Sequence, residues 1–361
     1  MLATGVTRFL IVRLGALGDV VHAIPVAAAL RRAFPSSRID WLVSAKHREI
    51  LDLVHVIDRR LVINDRSDAS GGTSLMAAMR ELRAARYDVV LDLQGLIKSA
   101  LLARAAGAAR VIGFSSRYAR EGLARLFYTE AFEPGRGGLY AAGETRHVVD
   151  INLSLLETLG VTSTRAEFPI EQPDSPVARW AAEQSGGHYA LLNPGAAWPN
   201  KRWPPARFGA IASELRRRHG LLSVVLWGPG EEPLAHEVVD AAQGGAIASP
   251  TTSIADLVAL ARGAAVMVSG DTGPTHIAGA VGTPLVGIYG PTRPSRNGPT
   301  AKDDVTVSRD GVCQCHHLRR CRMTQMCLLD IDVQEVLDAV ERRLAAARSN
   351  PVAPKPRGEG G

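Results

Sequence analysis

An apolar stretch broken by glycine and proline, SGDTGPTHIAGAVGTPLVGIYGPT at Ser269–Thr292, constrains the fold more than any other part of the chain. The apolar residues before it predict a buried strand, Pro274 marks where a helix can begin, and Leu285–Tyr289 predicts the next strand. Five glycines and three prolines between Asp271 and Arg293 exclude a membrane-spanning helix. The first amides of a helix have no partner within it and carry the positive end of its dipole. A strand, a turn of small residues and a short helix therefore predict a phosphate site.

The totals favour two α/β domains. The chain has 361 residues, of which 46% are hydrophobic, and this exceeds one ordinary domain. Because Arg13 interrupts the apolar run Phe9–Val12, we expect no signal peptide and a cytoplasmic protein. The net charge of +6 suits nucleic acid, an anionic membrane or a phosphorylated substrate. The basic residues are dispersed and not interleaved with aromatic ones, so nucleic acid is the weakest of these partners.

The first half alternates between strand and helix patterns. The predicted strands are Arg8–Arg13, Ile39–Val43, Leu61–Ile63, Val89–Leu93 and Arg110–Phe114, and the predicted helices are Val20–Phe34, Ser74–Ala85, Gln94–Ala106 and Val148–Leu159. Strands that alternate with helices predict a doubly wound parallel sheet with helices on both faces.

The pattern weakens between Gly160 and Gly187, where prolines and a Gly-Gly pair accumulate, and then the alternation restarts. We expect a first domain at 1–165, a linker at 166–187, a second domain at 188–346 and a disordered tail at 347–361. In the second domain the predicted strands include Tyr189–Asn193 and Leu222–Trp227, and the predicted helices are Pro205–His219, Glu232–Ala242, Ile254–Arg262 and Val333–Ala346. Two such domains place their ligand crevices at the carboxyl ends of their strands, facing each other across a cleft.

All four cysteines lie in one short segment of the second domain, Cys313, Cys315, Cys321 and Cys327. Their spacing is compatible with a structural Zn²⁺ site and with a cluster of reduced thiols. Disulfides are less favoured in the cytoplasm.

Five motifs in this order resemble glycosyltransferase family 9, the lipopolysaccharide heptosyltransferases, and most of all its heptosyltransferase I branch. The motifs are LGALGDVVHAIP near the N-terminus, DLQGLIKSA at Asp92–Ala100, YAREGLARLFY at Tyr118–Tyr128, NPGAAWPNKRWP at Asn193–Pro204, and the stretch described first. The resemblance implies a GT-B fold with an N-terminal acceptor domain and a C-terminal sugar-nucleotide domain. It implies inverting transfer of L-glycero-D-manno-heptose from an ADP-activated donor to the Kdo sugar of lipid A, with no metal or other cofactor required. It also implies peripheral contact with the cytoplasmic face of the inner membrane.

The resemblance also implies roles for individual residues. Asp19 matches the base that deprotonates the acceptor hydroxyl, although an aspartate at this position is also typical of a helix cap. The implied donor-binding residues are Lys201, either Glu231 or Glu232, Asp271, Thr272, Gly273 and His276. The implied acceptor-binding residues are Gln94, Lys98 and Arg120, whose alternative interpretation is a solvated helix surface.

One departure leaves the donor sugar open. The chain has Ala196-Ala197 where heptosyltransferase I has two hydroxyl side chains near the donor phosphate. Transfer of a different nucleotide-activated sugar is therefore an alternative. A nucleotide-sugar epimerase and a non-catalytic zinc-dependent binding protein are two further hypotheses.

Overall fold

The computed structural model describes residues 5, 7–64, 75–141, 143–162, 165–316 and 318–349. The chain divides into two compact units, Met1–Asp174 with Ser295–Asn297, and Ser175–Pro294 with Gly298–Gly361. The division lies inside the predicted linker 166–187, whose second half forms a helix, Pro176–Ser185, of the second unit. No helix within the described ranges is long and apolar enough to cross a membrane.

The first unit contains a six-stranded sheet. Its strands are β1 (Arg8–Val12), β2 (Arg38–Ser44), β3 (Arg59–Ile63), β4 (Val89–Asp92), β5 (Arg110–Phe114) and β6 (Glu130–Phe132). Its helices in chain order are α1 (Leu17–Val21), α2 (Ile24–Ala33), α3 (Glu49–Asp52), α4 (Leu75–Ala84), α5 (Ile97–Ala105) and α6 (Val148–Ser154), with a 3₁₀ helix at Gly122–Phe127. All neighbouring strands are parallel, in the order β3-β2-β1-β4-β5-β6.

The second unit has the same topology. Its strands are β7 (Tyr189–Asn193), β8 (Leu222–Val225), β9 (Ala246–Ala248), β10 (Val266–Gly270), β11 (Leu285–Tyr289) and β12 (Val305–Ser308). Its helices are α7 (Pro176–Ser185), α8 (Pro205–His219), α9 (Glu232–Ala241), α10 (Ile254–Gly263), α11 (Gly273–Val281), α12 (Pro294–Asn297) and α13 (Val333–Ser349). The division assigns α12 to the first unit, except for Pro294. The order β12-β11-β10-β7-β8-β9 is the first sheet's order read from the other edge, and all its strand pairs are parallel.

The central strands are buried on both faces, as parallel sheets covered by helices require. Every residue of β4, β7, β10 and β11 is buried. Each unit has its own hydrophobic core, with Leu10 and Val90 in the first and Leu192 and Val268 in the second. The fold class predicted from the sequence, α/β with two doubly wound parallel-sheet domains, is confirmed unit by unit.

Three predicted helices of the first unit have the wrong bounds. In Val148–Leu159 the α-helix ends at Ser154, and Leu155–Leu159 forms a 3₁₀ helix. The predicted helix Val20–Phe34 is two helices, because Pro25 lacks an amide hydrogen and is tolerated only in a first turn, that of α2. Asp19, predicted in a turn, lies in the first turn of α1. The predicted helix from Gln94 begins only at Ile97, because Gly95 has a left-handed φ of +67° that ends regular backbone there.

The predicted tail also starts too early, because α13 continues to Ser349. The rest of the tail, from residue 350, lies outside the described residues.

Candidate active site

In each unit most of the predicted site residues follow the two central strands between which the strand order reverses. Asp19 follows β1 and Gln94 follows β4, which are neighbours in the first sheet. Lys201 follows β7 and Asp271 follows β10, which are neighbours in the second. In doubly wound sheets this switch point, at the carboxyl ends of the strands, is where ligands bind.

Asp19 both caps a helix and forms ion pairs. Its Oδ2 accepts a hydrogen bond from the Ala16 amide at 3.1 Å, which stabilises the start of α1. Its Oδ1 lies 2.9 Å from Arg13 NH2, and its Oδ2 lies 2.5 Å from Arg120 NH2. The Asp19 side chain is 20% exposed, so solvent has access to it. The helix-cap interpretation and the base interpretation are therefore compatible in one side chain.

The charges around Asp19 keep it ionised. Burial acts to raise the pKa of Asp19, but the guanidinium groups of Arg13 and Arg120 outweigh burial and hold it well below its ordinary value. Burial lowers the pKa of Arg13 to about 10, so Arg13 stays protonated at neutral pH. An ionised carboxylate with one partly exposed arginine partner can accept a proton once that partner moves away.

Gln94 has a different position from the one expected of an acceptor-binding residue. It is buried, and its Oε1 accepts hydrogen bonds from the amides of Leu14 at 3.0 Å and Gly15 at 3.3 Å. These amides belong to the turn that leads from β1 to Asp19. Lys98, in contrast, is exposed on α5 and takes part in none of these contacts.

A buried aspartate that the sequence analysis missed holds the loop after β4. Asp92 accepts hydrogen bonds from Tyr128 Oη at 2.8 Å, Ser99 Oγ at 2.9 Å and the Gln94 amide at 2.9 Å. Burial raises the pKa of Asp92, and these hydrogen bonds oppose the rise. Asp92 therefore positions the loop that in turn holds the Asp19 turn.

In the second unit Asp271 joins Lys201 and His276. Lys201 Nζ lies 2.6 Å from Asp271 Oδ2, and His276 Nε2 lies 3.0 Å from Asp271 Oδ1. Burial acts to raise the pKa of Asp271, but the hydrogen bond from His276 and the charge of Lys201 hold it well below its ordinary value. Lys201 also lies 4.6 Å from the centre of the Trp198 ring, a cation–π contact that fixes its direction.

The start of α11 is held by a set of hydroxyl and amide groups. Asn193 Nδ2 donates to Thr272 Oγ1 and Ser269 Oγ, both at 3.0 Å. Thr275 Oγ1 donates to the Gly270 carbonyl at 2.6 Å. Thr272 is the N-cap and Gly273 the first residue of the helix. The backbone amides of this first turn are thus available to an anion.

The two candidate ribose-binding glutamates have different environments. Glu231 Oε2 accepts from the Gly228 amide at 3.3 Å, and its Oε1 lies 3.3 Å from Arg202 NH2. A methyl group placed on Gly195 would come within 2.1 Å of Glu231 Oε2, so Glu231 packs directly on the loop after β7. Glu232 is 58% exposed and faces His236 one helical turn later at 3.7 Å. The structure therefore brings Glu231, and not Glu232, to the donor-side residues.

The four cysteines come together in a cluster of thiols. Cys315 Sγ lies 3.3 Å from Cys321 Sγ, and the Cys315 amide donates to Cys313 Sγ at 3.3 Å. Burial, with a further contribution from Cys313, raises the pKa of the Cys327 thiol to about 12. Within the described ranges no three or more Cys, His, Asp or Glu side chains are arranged to hold a metal ion. Zinc binding stays a prediction, and metal analysis of the purified protein and of a variant with four serines tests it.

Sequence reasoning missed three polar side chains that complete these sites, Arg13, Asp92 and Asn193. Each ends or directly follows a buried central strand, β1, β4 or β7. That position is itself a signal, because it places a polar group at the carboxyl edge of the sheet.

Comparison with known proteins finds relatives of this chain. The family model described as "Glycosyltransferase family 9 (heptosyltransferase)" matches residues 75–327. Lipopolysaccharide heptosyltransferase 1 of Pseudomonas aeruginosa is 30% identical over 315 residues, which cover 85% of each chain. The structure of E. coli heptosyltransferase WaaC with ADP is 25% identical, with a TM-score of 0.73 and coverage of 93% of this chain and 100% of that one. The structure of the same E. coli protein with ADP-2-deoxy-2-fluoro heptose has a TM-score of 0.70 at 25% identity, with coverage of 93% and 99%.

Proposed function

This chain belongs to glycosyltransferase family 9, the heptosyltransferase family of lipopolysaccharide core biosynthesis, and we propose that it transfers L-glycero-D-manno-heptose from an ADP-activated donor to the Kdo sugar of lipid A. Membership of the family makes the chain a glycosyltransferase and not an epimerase. The bound ADP-2-deoxy-2-fluoro heptose of the E. coli relative supports the choice of donor.

The observation that carries the proposal is the pairing of Asp19 with Arg13 and Arg120 at the switch point of the first unit. Transfer of a sugar to an alcohol needs a base that takes the hydroxyl proton as the bond to the anomeric carbon forms. Asp19 is ionised, partly exposed and fixed in direction by the Ala16 amide. It is the acceptor-activating base of the proposed reaction.

Arg120 links acceptor binding to the strength of this base. Its guanidinium is partly exposed, and a carboxylate or phosphate on the acceptor is a better bidentate partner than one oxygen of Asp19. When Arg120 turns to the acceptor, Asp19 loses one of its two cationic neighbours. The pKa of Asp19 then rises towards its ordinary range, and the carboxylate becomes a stronger base at the moment the substrate arrives.

The second unit supplies the charge that the leaving nucleotide diphosphate needs. The proposed donor contacts are the Lys201 ammonium, His276 and the amides at the start of α11. These groups stabilise the negative charge that develops on the diphosphate as the glycosidic bond breaks. Glu231 accepts hydrogen bonds from the ribose hydroxyls in this proposal. No step of it needs a metal ion or an organic cofactor.

A different donor sugar is the second candidate, and one observation favours it. Ala196 and Ala197 stand where heptosyltransferase I has hydroxyl side chains, and the Ala196 carbonyl accepts from Arg202 Nε at 2.9 Å. The site therefore offers two fewer hydrogen-bonding groups close to the phosphate. A screen of nucleotide sugars separates this candidate from the first.

The test is transfer of heptose from ADP-heptose to Kdo-lipid A by the parent chain and by Asp19→Asn. We expect kcat of the variant to fall by about a hundredfold or more with ADP affinity unchanged. Asp52→Asn is the matched control, because Asp52 forms an exposed ion pair with Arg60 outside the site. Full activity of Asp19→Asn would remove Asp19 as the base. Turnover of another nucleotide sugar, with none of ADP-heptose, would establish the second candidate.

A further inference from the structure

One segment of the first unit is rich in positive charge. Residues 97–127 contain six lysine or arginine side chains and one glutamate, a net charge of +5. The segment includes α5 and the 3₁₀ helix Gly122–Phe127. A concentration of positive charge of this size favours an anionic partner.

The same segment exposes large apolar side chains. Leu126 is 76% exposed, Leu123 is 64% exposed and Leu101 of α5 is 42% exposed. A 3₁₀ helix has three residues per turn, so Leu123 and Leu126 lie on the same side, one above the other. The helix is anchored from its other side by Ala124, which is buried in the core.

The two helices are neighbours. The Ile97 amide at the start of α5 donates to Glu121 Oε2 at 2.7 Å, directly before the 3₁₀ helix. A methyl group on Gly95 would lie 3.0 Å from the Arg120 amide nitrogen. The leucine–arginine surface consists of four exposed side chains of this pair of helices, Leu101, Arg104, Leu123 and Leu126, together with the half-buried Arg125.

Arg110 pairs with Glu130 and Arg120 with Asp19, whereas the other four cations of residues 97–127 are not neutralised by the described part of the chain. Lys98, Arg104, Arg117 and Arg125 form no ion pair with a carboxylate in the part of the chain that the structure describes. Arg117 and Arg125 donate only to backbone carbonyls, at 3.4 and 3.3 Å. A carbonyl fixes the direction of a guanidinium but leaves its charge available to an anion outside the molecule.

We propose that the leucine–arginine surface docks on an anionic lipid membrane. Leu123 and Leu126 insert between lipid headgroups, and the surrounding cations bind lipid phosphates. Exposed leucines beside unpaired cations suit a fluid lipid surface, which needs no complementary shape. The proposal rests on the proposed function, because a lipid-linked acceptor gives membrane contact its purpose.

The location of the surface explains how docking serves transfer. Arg120 contacts Asp19 and lies three residues before Leu123. Docking through the 3₁₀ helix therefore holds the Asp19 carboxylate close to the bilayer surface, where the sugar of a lipid-anchored acceptor lies.

The experiment is cosedimentation with vesicles of phosphatidylethanolamine containing phosphatidylglycerol, compared with vesicles of phosphatidylcholine alone. We expect the parent to prefer the anionic vesicles and Leu123→Ser/Leu126→Ser to bind them about tenfold more weakly. Arg104→Gln removes one exposed charge and should weaken binding about fivefold. Met76→Ser/Val312→Ser is the matched control, since it removes two equally exposed apolar side chains elsewhere, 66% and 68% exposed, and should bind as the parent does.

Transfer assays separate this inference from the proposed function. The leucine variant should keep full activity on a water-soluble Kdo acceptor and lose about tenfold on acceptor embedded in anionic vesicles. If the parent transfers to neither acceptor, the proposed function fails while the vesicle result still decides docking.

The docking surface would be overturned if the parent and the leucine variant bound the anionic vesicles equally well, or if the control variant lost as much binding as the leucine variant. Equal binding of the parent to anionic and phosphatidylcholine vesicles would also overturn it. If the leucine variant does not fold, Arg104→Gln decides the question alone. A fivefold loss supports docking, and unchanged binding rejects it.

Discussion

A change at the contact between Gly195 and Glu231 should alter nucleotide binding while leaving the stability of the protein nearly unchanged. In Gly195→Ala the added methyl would lie 2.1 Å from Glu231 Oε2 and would push the carboxylate away. The end of a glutamate side chain moves easily, so the unfolding free energy should change by less than about 0.5 kcal/mol. Loss of the proposed ribose contact should weaken ADP binding about tenfold, measured by calorimetry.

Gly311→Ala is the control for this prediction. Gly311 has no atom within 4 Å of an added methyl, so its ADP affinity should equal that of the parent. Unchanged affinity in both variants would show that Glu231 does not contact the nucleotide.

Asp271 should make stability depend on acid pH. Its folded-state pKa lies below the ordinary value of 3.8, so its contribution is fully present above about pH 4 and is lost as pH falls further. Asp271→Asn leaves Lys201 without its partner and should cost about 3 kcal/mol at pH 7. This cost corresponds to a fall in Tm of roughly 6–12 °C.

Thermal melts between pH 7 and pH 3 measure this effect. The Tm of the parent should fall more steeply below pH 4 than that of Asp271→Asn, because the variant has no carboxylate to protonate. Asp240→Asn, on the exposed part of α9, should melt as the parent does. Parallel curves for parent and Asp271→Asn would contradict the depressed pKa.

At the residue scale the sequence predicted the positions of Asp19, Asp271 and His276 through motifs, but not their partners. Arg13 meets Asp19 only because β1 ends directly before the turn that returns the chain to it. Asn193 reaches Thr272 because β7 and β10 are adjacent in the sheet, although 79 residues separate the two in sequence. Such pairings depend on strand order, which local patterns do not contain.

Gln94 links two loops and is expected to act on the reaction through Asp19. Gln94→Met keeps the volume but removes the acceptor of the Leu14 and Gly15 amides. Leaving these amides unsatisfied costs about 1–3 kcal/mol and loosens the turn. We expect kcat to fall about tenfold with the acceptor KM nearly unchanged.

Lys98→Met provides the contrast for Gln94→Met. Lys98 is exposed on α5, and its motif implies contact with the acceptor. Its loss should therefore raise the acceptor KM and leave kcat unchanged. A rise in acceptor KM for Gln94→Met, with kcat unchanged, would instead support the contact with the acceptor that the motif implies.

At the element scale the buried strands were the most predictable parts. Tyr189–Asn193, Leu285–Tyr289 and Arg110–Phe114 have the predicted bounds, since each is a short apolar run ended by small or polar residues. The strands β6, β9 and β12 were missed. They have three or four residues each and lie at the edges of their sheets, where burial is incomplete and the apolar pattern is weak.

At the scale of the whole molecule, the repeated strand order gives each unit its own sheet and core. Nucleotide should therefore stabilise one unit more than the other. At one hundred times its Kd, ADP should add about 2.7 kcal/mol to the unit that binds it. Hydrogen exchange measured by mass spectrometry should show increased protection in β7–β12 and little change in β1–β6.

Asp19→Asn is the control for the exchange experiment, because the variant should show the same protection by ADP. Increased protection of β1–β6 alone would show that the nucleotide binds to the first unit and would contradict the assignment to the second. The alternation of strands and helices was enough to predict two doubly wound units. It was not enough to predict that both share one strand order, because no internal sequence repeat reveals it.

Four of the six cations in residues 97–127 have no carboxylate partner among the described residues. Unpaired charge at a surface experiences a torque in the field of an anionic bilayer as well as an attraction. Within about 8 Å of the lipid, the screening length at physiological salt, that torque turns the leucine–arginine surface towards the bilayer. Collisions then begin in a preoriented state, and what remains of the search for acceptor is diffusion in two dimensions.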